Sequence, residues 1–205
     1  TTAWLRCCPS LPRTAAKGSP ARSALRIFVK PAKPKEPNVT EAKPLNVLFL
    51  CTHNSARSIL AEALLNHMSQ GKFKAYSAGS SPKENQKPNP MAITTLEKAG
   101  ISTAGLTSKS WDVFATPDAP HMDLVITVCD NAAGEVCPYW PGQPATAHWG
   151  YADPSETVGT EEQKQEAFKQ TLHQIKRRLD LFTSLPLTSL SKMALENTAR
   201  DLATK

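Results

Sequence analysis

No run of apolar residues in this chain is long enough to cross a membrane, which takes about 20 consecutive apolar positions. We therefore expect no membrane-spanning segment. Cysteine is also scarce: the five present are an odd number and form no recognisable disulfide framework. Cys51 stands far in sequence from Cys129 and Cys137, and all three stand far from the pair at Cys7 and Cys8. This distribution favours a reducing compartment in which thiols carry out chemistry.

Acidic residues are missing from the first 35 positions, where Lys and Arg are spread among Ser, Ala and Pro. Residues 1–44 hold nine Lys/Arg and two Asp/Glu, whereas residues 45–205 hold fifteen and sixteen. An acid-poor basic leader is typical of an organelle transit peptide and equally of a disordered basic tail. We predict such a leader over 1–44 and a catalytic domain over 45–205. The protein is then expected in the cytoplasm, or in a mitochondrion or plastid if the leader is a transit peptide.

The near-neutral charge of residues 45–205 argues against a nucleic-acid-binding surface, which needs clustered Lys and Arg. In that part of the chain short apolar runs alternate with helical patterns. Predicted strands cover Asn46–Leu50, Phe73–Ala78, Leu124–Val128 and Ala145–Trp149. Predicted helices cover Ser58–Met68, Pro90–Ala99, Glu161–Leu181 and a final segment near Leu187–Ala203, with a polar stretch over Leu106–Phe114. The order predicts an α/β fold with a four-stranded, mostly parallel sheet and helices on both faces.

The segment from Cys51 to Ser58 has the layout of an oxyanion site, because it joins a buried strand to a helix. Backbone N–H groups of the loop can turn inward around a tetrahedral anion, and the helix adds the positive end of its dipole. Arg57 can bind two of the anion's oxygens. The same field is expected to lower the pKa of Cys51, which makes its sulfur the nucleophile. The predicted oxyanion-binding residues are Thr52, His53, Asn54, Ser55, Ala56, Arg57 and Ser58.

The spacing of Cys and Arg alone would not justify this interpretation, because Cys7 and Arg13 have the same separation. That second match contains two prolines and lies between no predicted strand and helix, so we treat it as chance.

Two further cysteines, Cys129 and Cys137, lie in a loop after the third predicted strand. A zinc site is not favoured, since their spacing is wide and no second cysteine pair completes a tetrahedral ligand set. They are interpreted as a redox pair that reaches Cys51 by thiol–disulfide exchange, although free cysteines are often simply buried. Asp153 follows the fourth strand and is a candidate acid for the departing oxygen. Its alternative role is to begin a helix before Pro154.

The run Cys-Thr-His-Asn-Ser-Ala-Arg-Ser after an apolar strand resembles the phosphate-binding loop of the low-molecular-weight protein tyrosine phosphatase fold. The distal cysteine pair and the His148-Trp149-Gly150 to Asp153-Pro154 segment make the chain similar to arsenate reductases of the thiol-cascade type, enzymes of arsenic detoxification.

This resemblance implies that Cys51 attacks arsenate held by Arg57, and that Asp153 protonates the departing oxygen. Cys129 then forms a disulfide with Cys51, and Cys137 takes it over as Cys129–Cys137. The resemblance also implies that Asn54 shapes the loop and that Ser58 hydrogen-bonds the Cys51 sulfur. Both residues have ordinary alternatives in turns and helix caps.

The implied partners are arsenate, with phosphate or sulfate as analogues, and an external thiol reductant, either thioredoxin or glutathione with glutaredoxin. The segment between the two distal cysteines is one residue longer than in the best-known members, which leaves the order of thiol attack open. Family members often hold potassium near the loop, and Glu62 is a candidate ligand. Lys109, however, stands where an acidic ligand is expected, so we assign no metal ligand and leave the potassium site open. We predict no tightly bound cofactor. We expect a monomer.

Two other functions remain open at this point. A tyrosine phosphatase would use Cys51, Arg57 and Asp153 alone, but in that group aromatic residues follow the acid, whereas Ser155 and Glu156 follow Pro154 here. A non-catalytic oxyanion binder or redox sensor would need only the loop, which leaves the complete set of nucleophile, arginine and acid without a role.

Overall fold

The structure is a computed structural model that describes residues 43–129, 141–185 and 191–204. Cys137, most of the predicted 1–44 leader and the start of the predicted last helix lie outside the described residues. The division into a leader and a catalytic domain therefore stays a prediction.

Four parallel strands form a single sheet in the order β2-β1-β3-β4. They are β1 Leu45–Cys51, β2 Phe73–Gly79, β3 Leu124–Thr127 and β4 Ala145–His148. Each boundary differs from the sequence-based prediction by one residue at most, and the predicted α/β fold class is confirmed. Parallel strands are buried on both faces, which explains why β1 reads as a continuous apolar run.

Among the described residues four α-helices connect and cover the strands: α1 Arg57–Met68, α2 Pro90–Lys98, α3 Glu161–Thr183 and α4 Lys192–Asp201. Short 3₁₀ helices lie at Trp111–Phe114, Pro154–Glu156 and Leu202–Thr204. Side chains cap three of the α-helices, since Asn89 accepts at the start of α2, Thr160 at α3 and Ser191 at α4. Within the described residues no helix is both long and apolar enough to cross a membrane.

The two faces of β1 belong to different apolar clusters, as the alternation of side chains along a strand requires. Val47 and Phe49 pack in the larger cluster, which holds the buried side chains of all four α-helices. Leu48 and Leu50 pack in a smaller cluster with Phe114 of the first 3₁₀ helix. Because β1 and β3 are paired parallel neighbours, Cys51 at the end of β1 and Cys129 just after β3 lie at the same edge of the sheet.

Candidate functional site

The Cys51 thiol lies at the carboxyl end of β1, with only 4% of the residue exposed. Its sulfur is 2.9 Å from Ser58 Oγ, and the backbone N–H of Asn54 donates to it at 3.1 Å. Two of the predicted loop residues therefore touch the sulfur directly. A buried sulfur between a hydroxyl and an amide N–H is held in one position and is stabilised when it carries negative charge.

Burial nevertheless raises the pKa of the Cys51 thiol above its ordinary value of 9.0. Hydrogen bonds from Ser58 and Asn54 lower it, and the nearby Cys129 raises it further, but loss of solvation is the largest cause. The sequence-based expectation of a lowered pKa is therefore wrong in direction. Burial cannot be read from the loop motif, and here it outweighs the donors around the sulfur.

The loop between β1 and α1 is fixed by contacts to the chain around it. Asn54 has a φ of 50°, in the left-handed region that asparagine tolerates better than most residues. The Ser108 hydroxyl donates to its carbonyl at 2.6 Å, and the backbone N–H of Lys109 donates to its Oδ1 at 2.8 Å. A side chain at Gly79 of β2 would place Cβ 2.7 Å from the Thr52 carbonyl oxygen. The loop therefore packs so closely against β2 that only glycine fits at position 79.

Helix α1 begins at Arg57 and, unlike the other three α-helices, has no side chain that caps its N-terminus. The Ser58 N–H interacts with the Cys51 sulfur, and no capping side chain takes the other N–H groups of the first turn. The helix dipole favours negative charge there. Beside this helix end lies a cavity of about 170 Å³. Its lining residues are Cys51, His53, Ser55, Ala56, Arg57, Lys83, Gln86, Asn89, Asp153 and Ser155.

The Arg57 guanidinium lies between this cavity and the segment after β4. Its Nη2 pairs with Asp153 Oδ2 at 2.6 Å, and its Nη1 donates to the Tyr151 carbonyl at 2.9 Å. The other carboxylate oxygen of Asp153 accepts the Ser155 N–H at 2.9 Å, which caps the Pro154–Glu156 turn. Both sequence-based roles of Asp153 are thus compatible with its position, since it begins a helix and also lines the cavity.

Cys129 follows β3 and is 2% exposed. Its sulfur lies 3.5 Å from the Thr52 hydroxyl, so it adjoins the residue next to Cys51 in sequence. Both cysteines are free thiols. A second cavity of about 430 Å³ is lined by Cys129 and shares Arg57 and Asp153 with the first. The structure therefore brings together two of the three predicted redox cysteines, the arginine and the acid.

A hydrogen-bonded chain leads from Glu62 to the loop. The Ser77 hydroxyl donates to Glu62 Oε2 at 2.5 Å and accepts from the Asn54 side-chain amide at 2.8 Å. That amide also donates to Ser58 Oγ at 3.0 Å, which links the chain to the sulfur's own partner. Burial raises the pKa of Glu62, while Ser77 and the nearby Lys109 charge lower it.

Glu62, the candidate potassium ligand, takes part in protein contacts here. Its Oε2 accepts from Ser77, and the Lys109 ammonium supplies positive charge near its carboxylate. The Lys109 Nζ itself donates to the Thr107 carbonyl at 3.1 Å. Within the described residues no group of three or more His, Cys, Asp or Glu side chains is placed to hold a metal.

Sequence reasoning missed the wall of the first cavity that is built from residues 80–89. Lys83, Gln86 and Asn89 line it. Asn89 also donates its backbone N–H to the Ser55 carbonyl at 2.9 Å, so the wall is tied to the loop. Only the Asn89-Pro90 helix start carried a signal, since isolated Lys and Gln residues in a polar loop indicate nothing by themselves.

A larger cavity, about 680 Å³, lies between α2 and α3 and includes Met91, Thr95, Gln165 and Leu172 in its lining. It contains none of the predicted site residues. Size alone therefore does not identify the site, whereas the convergence of thiols, arginine and carboxylate does.

Comparison with known proteins finds one matching family and several similar arsenate reductases. The family model of low molecular weight phosphotyrosine protein phosphatases matches residues 46–194. An arsenate reductase of Bacillus subtilis (strain 168) is 36% identical over 136 residues, which cover 66% of this chain and 93% of that protein. One from Bacillus licheniformis is 38% identical over 137 residues, with the same coverage of 66% and 93%. The solved structure of an arsenate reductase in the phosphate binding state superposes with a TM-score of 0.52 at 28% identity, covering 68% of this chain and 97% of that one.

Proposed function

We propose that this chain, which belongs to the low molecular weight phosphotyrosine protein phosphatase family, reduces arsenate to arsenite in arsenic detoxification. Its similarity to the arsenate reductases of Bacillus supports this proposal. The resemblance seen in the sequence is confirmed by these relatives. In more detail, we propose that reduction proceeds through a cascade of three sulfurs. The supporting observation is Cys129, a second buried thiol 3.5 Å from the Thr52 hydroxyl, which a phosphate ester hydrolase would not need.

The first step forms a bond between Cys51 Sγ and arsenic(V). Arsenate enters the cavity beside the uncapped start of α1, where the first N–H groups of the helix and the Arg57 guanidinium bind its oxygens. The Cys51 thiolate attacks arsenic, and one oxygen leaves as water. Asp153 lines the same cavity and passes a proton to that oxygen; as a carboxylate it first takes up the proton that the Cys51 thiol loses on becoming a thiolate. Arg57 must then exchange its contact with Asp153 for one with the anion.

The second step reduces the arsenic. Cys129 attacks Cys51 Sγ, the new sulfur–sulfur bond forms, and the sulfur–arsenic bond breaks. The electron pair of the broken bond stays on arsenic, which leaves as arsenite. Cys137 then attacks Cys129, so that Cys51 is released as a thiolate and the disulfide becomes Cys129–Cys137. Two electrons reach arsenic for every two thiols that are oxidised.

The Cys129–Cys137 disulfide needs an external reductant, which we propose to be thioredoxin or glutathione with glutaredoxin. Both supply the two electrons by thiol–disulfide exchange. An arsenate reduction assay that compares the two systems at equal reducing equivalents identifies the donor.

The family assignment leaves a phosphatase as the second candidate function, because Cys51, Arg57 and Asp153 line one cavity that takes a tetrahedral anion. The residues after Pro154 argue against it: Ser155 and Glu156 offer no aromatic surface for a tyrosine ring. Hydrolysis of a small aryl phosphate at a low rate is still expected, since its chemistry requires only the first sulfur.

Replacing Cys129 with serine separates the two functions. Arsenate turnover is expected to fall by more than about 100-fold, because no second thiol resolves the Cys51 adduct. Hydrolysis of a small aryl phosphate should be unchanged or slightly faster, because loss of Cys129 removes one cause of the raised pKa of Cys51. Cys7→Ser is the matched control and should leave both rates unchanged. Equal arsenate reduction by the wild type and Cys129→Ser would contradict the cascade.

A further inference from the structure

Part of the positive charge that lines the Cys51 cavity is neutralised by a carboxylate in the same lining. Among its lining residues the permanent cations are Arg57 and Lys83, and the one carboxylate is Asp153. Arg57 and Asp153 form a close pair at 2.6 Å, with 14% and 23% of their side chains exposed. A buried arginine that already faces a carboxylate attracts a second anion less strongly than a free one does.

Lys83 is the lining cation whose charge is not compensated in this way. Its side chain is exposed and forms no ion pair or hydrogen bond with any residue in the described part of the chain. The neighbouring acid, Glu84, does not line the cavity. Among the described residues that line the cavity, Lys83 is therefore the permanent cation without a carboxylate partner.

The backbone holds Lys83 at this position. The segment that carries it is anchored at its start, where Ser80 N–H donates to the Cys51 carbonyl at 3.0 Å and Ser81 N–H to the Thr52 carbonyl at 2.8 Å. It is anchored again at its end by the bond from Asn89 N–H to the Ser55 carbonyl at 2.9 Å. Because both anchors lie on residues 51–55, the backbone keeps Lys83 beside the cavity.

We propose that Lys83 is a binding residue that selects doubly charged tetrahedral oxyanions. Its ammonium draws the dianion to the cavity mouth before Arg57 exchanges Asp153 for the anion. A cation at the rim favours a dianion over a monoanion of the same shape, and it acts mainly on association and on salt dependence. This proposal rests on the oxyanion chemistry proposed above but not on the redox steps.

The experiment measures how well inorganic phosphate protects Cys51 from iodoacetamide, at low salt and at high salt, with the labelled cysteine identified by mass spectrometry. Lys83→Gln should raise the phosphate concentration for half-protection about three- to tenfold at low salt, and the difference should disappear at high salt. Lys83→Arg should behave as the wild type. Lys87→Gln is the matched control: it removes the same charge from an exposed position of the same segment that does not line the cavity.

Arsenate kinetics give the second readout: Lys83→Gln should raise KM and leave kcat unchanged. Equal protection in Lys83→Gln and Lys87→Gln, or a loss of kcat with unchanged phosphate protection, would overturn the proposal. Phosphate protection that depends on Lys83 in a protein without arsenate turnover would support Lys83 and refute the reductase. Absence of any phosphate protection in the wild type would overturn the assignment of Lys83 together with the oxyanion cavity.

Discussion

Cys51 combines two features that act in opposite directions on its ionisation. Its burial raises the pKa of the thiol, whereas the Ser58 hydroxyl and the Asn54 N–H favour the thiolate. The Asn54 amide donates to Ser58 Oγ, which directs the serine's own proton toward the sulfur. Burial therefore favours the thiol over the thiolate, and the proposed attack of Cys51 needs a base that takes up its proton.

Alkylation of Cys51 by iodoacetamide should therefore increase steadily with pH. A thiol whose pKa lies above 9.0 gains thiolate about tenfold per pH unit below that value and levels off only above it. Ser58→Ala should slow labelling at pH 8 by about fivefold, since one hydrogen bond of ~1 kcal/mol to the thiolate is lost. The rate is followed by mass spectrometry of the Cys51 peptide.

Ser69→Ala is the matched control, because it removes a serine hydroxyl at the opposite end of α1 from Cys51, and it should leave the rate unchanged. A labelling rate that already levels off near pH 7 would show that the pKa of Cys51 is lowered, and the account of its burial would be wrong.

Among single residues, the sequence predicts the reactive and charged side chains that lie at the ends of strands or at the start of a helix. Cys51, Arg57 and Asp153 were identified because each follows or begins an element at one edge of a parallel sheet. The direction of the Cys51 pKa was missed, because burial depends on side chains from distant parts of the chain. Lys83 was missed because an exposed lysine in a loop has no distinguishing pattern.

At the scale of the elements, the conformation of the loop between β1 and α1 is set by the chain segments packed against it. The carbonyl of Thr52 lies so close to β2 that a Cβ at Gly79 would approach it to 2.7 Å, and the atom in the way belongs to the backbone. On the other side, Ser108 and Lys109 bind Asn54. The predicted strand and helix therefore frame the loop, while contacts with β2 and residues 108–109 set its shape.

Gly79→Ala should displace the loop and weaken phosphate binding by more than about tenfold, because several N–H groups must keep their common direction. Phosphate protection of Cys51 against alkylation measures the effect. Gly71→Ala serves as the contrast: its φ of 83° disfavours alanine, but no atom lies within 4 Å of the new Cβ. That variant should lose about 1 kcal/mol of stability and keep its phosphate affinity. Unchanged phosphate protection in Gly79→Ala would contradict the close packing of loop and strand.

The elements themselves were largely predictable, since strands of buried apolar residues and helices with clear start signals differ from their predicted bounds by one or two residues in most cases. Glu161–Thr183 extends two residues beyond its prediction, and only Trp111–Phe114 of the polar stretch is helical. The connections were not predictable to the same degree. Residues 80–89 form a cavity wall through backbone hydrogen bonds, which any sequence of similar polarity can make.

At the scale of the whole molecule, the parallel sheet brings residues that are far apart in sequence close together at one edge. Cys51 and Cys129 are 78 positions apart, yet they follow neighbouring strands and share Thr52 as a common contact. Asp153 comes from beyond the next strand and reaches the same cavity through Arg57. One edge of the fold thus carries two thiols, an arginine and a carboxylate. The proposed cascade uses all four of these groups, whereas hydrolysis of a phosphate ester would leave the second thiol unused.

A single turnover with the fully reduced protein, stoichiometric arsenate and no external reductant tests this account most directly. After alkylation of the remaining thiols, mass spectrometry locates the disulfide, and the arsenite formed is counted. We expect a Cys129–Cys137 disulfide with Cys51 free in the wild type, and an accumulated Cys51–Cys129 disulfide in Cys137→Ser. Arsenite should form in equal amount to the disulfide. If all three cysteines remain reduced and no arsenite appears, while the same protein hydrolyses an aryl phosphate, the chain is a phosphatase and the cascade is wrong.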